Sequence, residues 1–524
     1  MLMMEEIVQS IELWLRTSKK LEPLVDPDLD PVLLVPGIAG SMLHTVDADG
    51  NHERVWVRIL GADEEFRKKL WSRFDPATGK TVSFDEKTKI VVPEDRYGLY
   101  AIDVLDPDLI VGCEVVSYYH DMIVEMISWG YQEGKTLFGF GYDFRQSNRL
   151  QETLDRFSAK LEFIFTSSGG KKLNLVTHSM GGLLVKCFLS LHGDVFAKYV
   201  KSWIAIAAPF QGAPGYITTS LLNGISFVEG WEERFFISKW SMHQLLVECP
   251  SIYELMGNPS FGWEDMPLLQ IWRERTDSLG QVYTLLESYE AADAVSVFKE
   301  ALLDNSVLCD GKQVLLPFNL EILKWANETY KLLSSAKIPD TVKFYNIYGI
   351  NIDTAHSVCY GSEKAPILEI KGLINSQPKY ICVNGDGTVP AESAKADGFD
   401  AMARVAVHAD HRRIVCDRHV FRILKHWLNA GEPDPLYNPI NDYVILPTAF
   451  DFQKQVKEKW QTISSDWEII SSDSSNADEK VNIPAMMDAL SRSLEEAEQQ
   501  LKIEDAQASV RVYPQMHARV TING

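Results

Sequence analysis

Ser179 lies in the run Leu175 to Lys186, where an apolar segment passes through small residues into a second apolar stretch of helical character. A strand that bends sharply into a helix at a serine projects the hydroxyl above a sheet edge, provided its neighbours are small enough for strand and helix to approach. Gly181 and Gly182 meet that demand. Thr177 stands where the strict G-x-S-x-G pattern has its first glycine, so the match depends on its surroundings. An isolated S-x-G would be an ordinary turn; the strand, His178, the two glycines and the helix together favour a nucleophile.

A serine hydroxyl attacks poorly at neutral pH unless an imidazole takes its proton and a carboxylate orients that imidazole. On this kind of elbow the partners follow in the order serine, acid, histidine. Asp386, in Asn384 to Pro390, is flanked by two glycines directly after the apolar run Tyr380 to Val383. It is therefore expected at the C-terminal edge of a strand, where α/β sheets collect their active sites. The competing reading is an aspartate that shapes only its own turn. Of the four following histidines, His419 and His426 fall on an expected helix from Arg418 to Leu428. His411 is the expected base, because the loop before that helix can carry an imidazole over the sheet edge. His408 is the alternative, and the pair with the intervening acid makes a weak metal site because it lacks helical or strand register.

The tetrahedral intermediate needs backbone N–H donors. The elbow offers that of Met180, and the glycine-containing loop Val35 to Ser41 offers that of Ile38. The glycines of that loop could instead cradle a phosphate, but no Lys-Ser/Thr follows them.

The elements that must hold these residues read as alternating strands and helices. Buried strands are expected at Pro31 to Pro36, Leu173 to Thr177, Ser202 to Ala207, Val342 to Tyr348 and Tyr380 to Val383, with helices near 150–166 and 182–192 between several of them. Such alternation predicts an α/β fold with a mostly parallel central sheet and right-handed crossovers. Core segments are expected at 31–209 and 341–461, with a lid-like insert at about 45–75 and a mostly helical cap at 210–340. Residues 1–30 read as a short amphipathic helix (Ile7, Ile11, Trp14, Leu15) and linker. Residues 462–524 read as an acidic tail, with eleven acids and three bases between 466 and 505, a possible helix at 484–503, and a weak hairpin of Ser509 to Val512 with Ala518 to Ile522.

A formal charge of −22 over 524 residues disfavours nucleic acid as a partner. The seven cysteines are widely spaced with no CxxC pair, which argues against a disulfide framework or a zinc site and fits a reducing compartment. Glu5 and Glu6 stand where a secretory leader needs basic residues, and no run of eighteen apolar residues follows. The expected location is cytoplasmic, with peripheral contact on endomembranes.

In this order, Val35 to Ser41, Gly141 to Arg145, Thr177 to Gly181, Ala208 to Ala213, Gly385 to Pro390 and His411 to Val415 resemble the motifs of the lecithin:cholesterol acyltransferase family over roughly residues 30–430. The chain looks most like the family's cytoplasmic plant phospholipase A branch, since Glu53 to Leu60 lacks the lid cysteine of the secreted members. The resemblance implies an α/β-hydrolase with an inserted cap and lid, a triad of Ser179, Asp386 and His411, and oxyanion donors at Ile38 and Met180. It implies hydrolysis of a phospholipid acyl ester at position 1 or 2, or its transfer to a sterol or other alcohol, with no metal or organic cofactor. A catalytically silent lipid-binding scaffold is the non-enzymatic alternative.

A lipid substrate calls for an apolar face at the mouth of the site. Trp56 and Trp71 in the lid-like insert, interleaved with Arg54, Arg58, Arg67, Lys68 and Lys69, are expected at the membrane, as are Phe227, Trp231, Phe235 and Trp240 in the cap. The competing expectation is that these rings pack the interior.

Overall fold

A computed structural model of the chain describes residues 25–47, 49–58, 62–85, 87, 89–108, 116–225, 237–309, 311–431 and the strand Val520–Thr521. The Val32–Val35 strand carries no polar side chain and is fully buried, as a parallel strand covered on both faces must be. Its side chains alternate between two cores. Leu33 and Val35 join the core under the Gln151–Ser167 and Met180–Leu191 helices, while Val32 and Leu34 join the one under His120–Ser128 and Arg418–Trp427.

Seven strands form this central sheet, in the order Val520–Thr521, Ala403–Val407, Lys343–Gly349, Val200–Ile206, Leu173–His178, Val32–Val35, Leu137–Gly139. All pair in parallel except Val520–Thr521. The fold is α/β with helices on both faces of a mostly parallel sheet. Register brings Val35 beside Thr177, Ala205 beside both Thr177 and Asn346, and Gly349 beside Val407. The loops after these strands therefore open at one edge.

The Gln151–Ser167 helix buries Leu154, Phe157, Leu161 and Ile164, the stripe that its spacing predicts. Arg418–Trp427 starts where the Asp417 carboxylate accepts the N–H groups of His419 and Val420.

Several expectations are corrected. The Tyr380 to Val383 run does form a strand, Pro378–Gly385, but outside the central sheet. It is the edge of a second, four-stranded sheet ordered Val282–Tyr289, Leu269–Thr276, Ile352–Tyr360, Pro378–Gly385. A short apolar run does not reveal which sheet it joins. The region between Ile206 and Lys343 carries the helices Pro214–Asn223, Lys239–Leu246, Pro250–Tyr253, Ala291–Ala301 and Leu320–Ser335, and it also supplies two strands of this sheet and the hairpin Ser306–Cys309 with Lys312–Leu315. Those strands alternate polar and apolar residues weakly, as in Arg273, Glu274 and Arg275. Val520–Thr521 pairs with Arg404 and Val405 at the edge of the central sheet, and its expected hairpin partner 509–512 lies outside the described residues. The expected helices at 5–16 and 484–503 also lie outside them.

Candidate active site

Leu173–His178 is buried throughout and ends directly at Ser179, which precedes the helix Met180–Leu191. Ser179 has φ 53° and ψ −129°, a backbone region that side chains avoid and that persists only where the surroundings impose it. Its N–H donates to Ile206 O at 2.9 Å, and its carbonyl accepts from Gly182 N at 2.9 Å. The flanking glycines are required by contact: a Cβ on Gly181 would lie 2.5 Å from Pro36 O, and one on Gly182 2.6 Å from Ala208 Cβ. Thr177 is tolerated at the usual glycine position because it faces Ala205 on the neighbouring strand and accepts the Trp203 indole N–H at 3.0 Å.

His411 Nε2 lies 2.9 Å from Ser179 Oγ, and His411 Nδ1 lies 2.7 Å from Asp386 Oδ2. Serine, histidine and aspartate thus come together from positions 232 and 25 residues apart. The loop that carries His411 follows the Ala403–Val407 strand and is shaped by Asp410, whose Oδ1 accepts the N–H groups of Arg412 and Arg413. His408 is outside the triad, its Nδ1 lying 3.3 Å from the Ile350 carbonyl oxygen.

Asp386 arrives by an excursion. The chain leaves the central sheet at Gly349, runs out along Ile352–Tyr360 and returns antiparallel along Pro378–Gly385. Asp386 is thereby set beside Ile352 and against Gly349, where a Cβ would lie 2.4 Å from its own. Asp386 Oδ1 accepts the N–H groups of Thr388 and Val389 at 3.0 and 2.7 Å. Turn-shaping and histidine-orienting are therefore not competing roles here, because each uses a different oxygen.

The loop after Val32–Val35 passes directly over the serine, and a Cβ on Gly37 would lie 2.6 Å from Ser179 Cβ. Surrounding side chains hold this loop at Val35, Pro36, Gly37 and Ala39. Tyr119 Oη donates to Val35 O at 3.1 Å, Tyr142 Oη to Pro36 O at 3.0 Å, and the Trp56 indole N–H to Ala39 O at 2.8 Å. Gly37 N–H donates to Tyr118 Oη at 2.8 Å. Met180 heads its helix, where backbone N–H groups have no intrahelical acceptor, and Ile38 sits at the turn of the loop.

Arg145 explains another motif. It is buried with a paired contact to the Asp143 carboxylate, 2.9 Å from Nε and 2.8 Å from Nη2, and its Nη1 donates to Leu70 O at 3.0 Å. Gly141 to Arg145 is thus a brace between the loop after Val32–Val35, reached through Tyr142, and Leu70 of the insert.

The lipid-facing expectation is overturned for Trp56 and Trp71. Trp56 and Trp71 are 1% and 4% exposed. Trp56 packs edge-on to Phe144 while tying down the loop after Val32–Val35 at Ala39 O, and Trp71 donates its indole N–H to Ser241 O at 3.0 Å. An indole buries favourably once its N–H finds an acceptor, and both have one. Trp240 is 49% exposed and packs edge-on against Trp71. Phe227, Trp231 and Phe235 lie outside the described residues. Among the described residues, no group of three or more metal-ligating side chains is gathered.

Sequence reasoning treated His178 only as part of the elbow's surroundings and missed Tyr118 entirely. Tyr118 lies outside every motif, and its contacts with Gly37 and His178 span 81 and 60 residues.

The model of the lecithin:cholesterol acyltransferase family matches residues 74–410. Over 478 residues the chain is 62% identical to lecithin-cholesterol acyltransferase-like 4 of Arabidopsis thaliana, covering 89% of each chain. It is 48% identical over 407 residues to phospholipase A(1) LCAT3 of the same plant, covering 77% of this chain and 91% of that one. It is 31% identical to lysosomal phospholipase A and acyltransferase of Bos taurus, covering 48% and 69% respectively. With the serine elbow, the acid excursion and the histidine loop all inside the matched span or next to its end, the chain belongs to the lecithin:cholesterol acyltransferase family.

Proposed function

We propose that this protein is a phospholipase A that hydrolyses a fatty-acyl ester of glycerophospholipids such as phosphatidylcholine, at position 1 or 2, through an acyl-enzyme on Ser179. The observation that carries the reading is the continuous contact from Ser179 Oγ through His411 to Asp386, at 2.9 and 2.7 Å. In this mechanism His411 takes the serine proton as Oγ attacks the ester carbonyl, and Asp386 holds the imidazole in the tautomer that can accept it. The tetrahedral oxyanion forms beneath the N–H groups of Ile38 and Met180. Collapse expels the lysophospholipid, protonated by His411, and leaves the acyl group on Ser179. Water, deprotonated by the same histidine, then releases the fatty acid.

Transfer to a sterol or other alcohol uses the same acyl-enzyme with a different acceptor. Phosphatidylcholine labelled separately at its two acyl positions, incubated with and without sterol, distinguishes the outcomes. Labelled free fatty acid, absent with Ser179→Ala, is the expected product; sterol ester as the main product would make the protein a transferase, and no acyl release would favour a silent lipid-binding scaffold.

Contact with the bilayer is peripheral in this reading, and the half-exposed Trp240 is the indole that supports it. A cytoplasmic location is supported by the free thiols of Cys187, Cys249, Cys359, Cys382 and Cys416.

A further inference from the structure

His178 directly precedes the nucleophile, is 3% exposed and belongs to no triad. Both of its ring nitrogens are engaged. Nε2 lies 2.9 Å from the His411 carbonyl oxygen, and Nδ1 meets the Tyr118 hydroxyl. The donor order follows from chemistry alone. A carbonyl oxygen only accepts, so Nε2 carries the proton and donates to His411 O. Gly37 N–H only donates, so it gives its hydrogen to Tyr118 Oη at 2.8 Å. The Tyr118 proton then goes to Nδ1, the lone-pair nitrogen of a neutral imidazole.

One directed chain therefore runs from Gly37 N–H through Tyr118 O–H and His178 to the His411 carbonyl. It joins the two loops that meet over Ser179, the oxyanion loop on one side and the base loop on the other. Packing reinforces both ends. The His178 and His411 rings lie 4.9 Å apart, and the Tyr118 ring lies so close under the oxyanion loop that a Cβ on Gly40 would come within 2.5 Å of it. Burial, followed by the neighbouring His411, holds the His178 pKa well below that of an ordinary histidine, which keeps Nδ1 unprotonated.

We propose that His178 and Tyr118 are positioning residues which, as one hydrogen-bonded relay, set the oxyanion loop and the catalytic histidine at a fixed separation across Ser179. The proposal rests on the hydrolase reading of the triad. Hydrogen bonds in a buried chain act as a unit, so breaking the chain at either member releases the same constraint.

The test measures kcat and KM on a soluble p-nitrophenyl ester for wild type, Tyr118→Phe, His178→Asn, the double variant and His178→Gln. Each of the first two singles is expected to lose roughly tenfold in kcat, the scale of leaving one buried polar group unpaired, with KM within about twofold. The double variant is expected to lose no more than the worse single. His178→Gln, whose amide N–H reaches the Nε2 position, is expected to recover part of the loss seen in His178→Asn. Losses that multiply in the double variant, or no recovery with glutamine, would overturn the relay. Tyr118→Phe keeps the ring on Gly40 and removes one oxygen, so if the His178 variants fail to fold its kcat alone decides, and a wild-type value overturns the proposal. Fluorophosphonate labelling of wild-type Ser179 runs alongside: no labelling sinks the hydrolase reading itself, whereas labelling with unaltered variants sinks only the relay.

Discussion

Asp386 and His411 are joined twice, by Oδ2 at 2.7 Å from the imidazole Nδ1 and by the Asp386 carbonyl accepting the His411 backbone N–H at 2.9 Å. The second bond survives any change to the acid's side chain, so the loop should keep its place while the imidazole loses its orienting charge. Asp386→Asn is expected to lower kcat on the order of 10⁴-fold, the size of a triad carboxylate's effect, with KM little changed. Steady-state kinetics beside a thermal melt check this, and a loss of less than tenfold would remove Asp386 from the mechanism.

Gly37→Ala probes how closely the oxyanion loop is fitted to the nucleophile. Its Cβ would lie 2.6 Å from Ser179 Cβ and 3.1 Å from Oγ, so loop or serine must shift. The expected cost in kcat is about 10²-fold, comparable to losing one oxyanion donor, while circular dichroism stays that of the wild type. A fully active, folded Gly37→Ala would contradict the loop's assignment.

The tryptophans separate catalysis from membrane contact. Trp56→Phe keeps the buried ring but removes the N–H that holds Ala39 O. A net hydrogen bond of about 1 kcal/mol corresponds to roughly fivefold in kcat, with sedimentation on phosphatidylcholine vesicles unchanged. Trp240→Ala should do the reverse and weaken sedimentation while leaving turnover of a soluble ester near wild type. Equal vesicle binding by wild type and Trp240→Ala would remove that indole from the membrane surface.

Acid should destabilise the fold through buried histidines. Burial pushes His243 down to about 4 from its ordinary 6.5; its Nε2 donates to Leu221 O at 2.9 Å, and Nδ1 faces the Gln244 amide at 3.2 Å. The folded protein therefore resists the proton that the unfolded chain accepts. This contribution is intact above about pH 6.5 and is lost as pH falls from there towards 4, by on the order of 3 kcal/mol at 1.4 kcal/mol per pH unit. His178, shifted in the same direction, adds to the loss. Denaturant midpoints from pH 7 to 4.5 should fall steadily, and less steeply for His243→Gln; parallel slopes would contradict the assignment.

The triad was legible because local patterning announced it. An apolar strand, a small-residue bend at Ser179 and an apolar helix are neighbours in sequence, and a glycine-flanked aspartate and a loop histidine follow in the expected order. The route that delivers Asp386 was not legible, because a run such as Tyr380 to Val383 carries no mark of which sheet it will join. Trp56 and Trp71 were misread for a related reason. An indole interleaved with arginines has the same one-dimensional signature at a membrane as in an interior, and only the acceptor, Ala39 O for Trp56 and Ser241 O for Trp71, distinguishes the two. Tyr118 left no signal because its hydrogen-bond partners Gly37 and His178 are 81 and 60 residues away in sequence.

The central claim is that Ser179 is a nucleophile activated by His411. Intact-mass measurement after brief exposure to a fluorophosphonate tests it most directly. The wild type should gain a single phosphonyl adduct, mapped to Ser179 by peptide sequencing, with His411→Ala reacting far more slowly and Ser179→Ala not at all. An adduct on another residue, or equal labelling of wild type and Ser179→Ala, would contradict it.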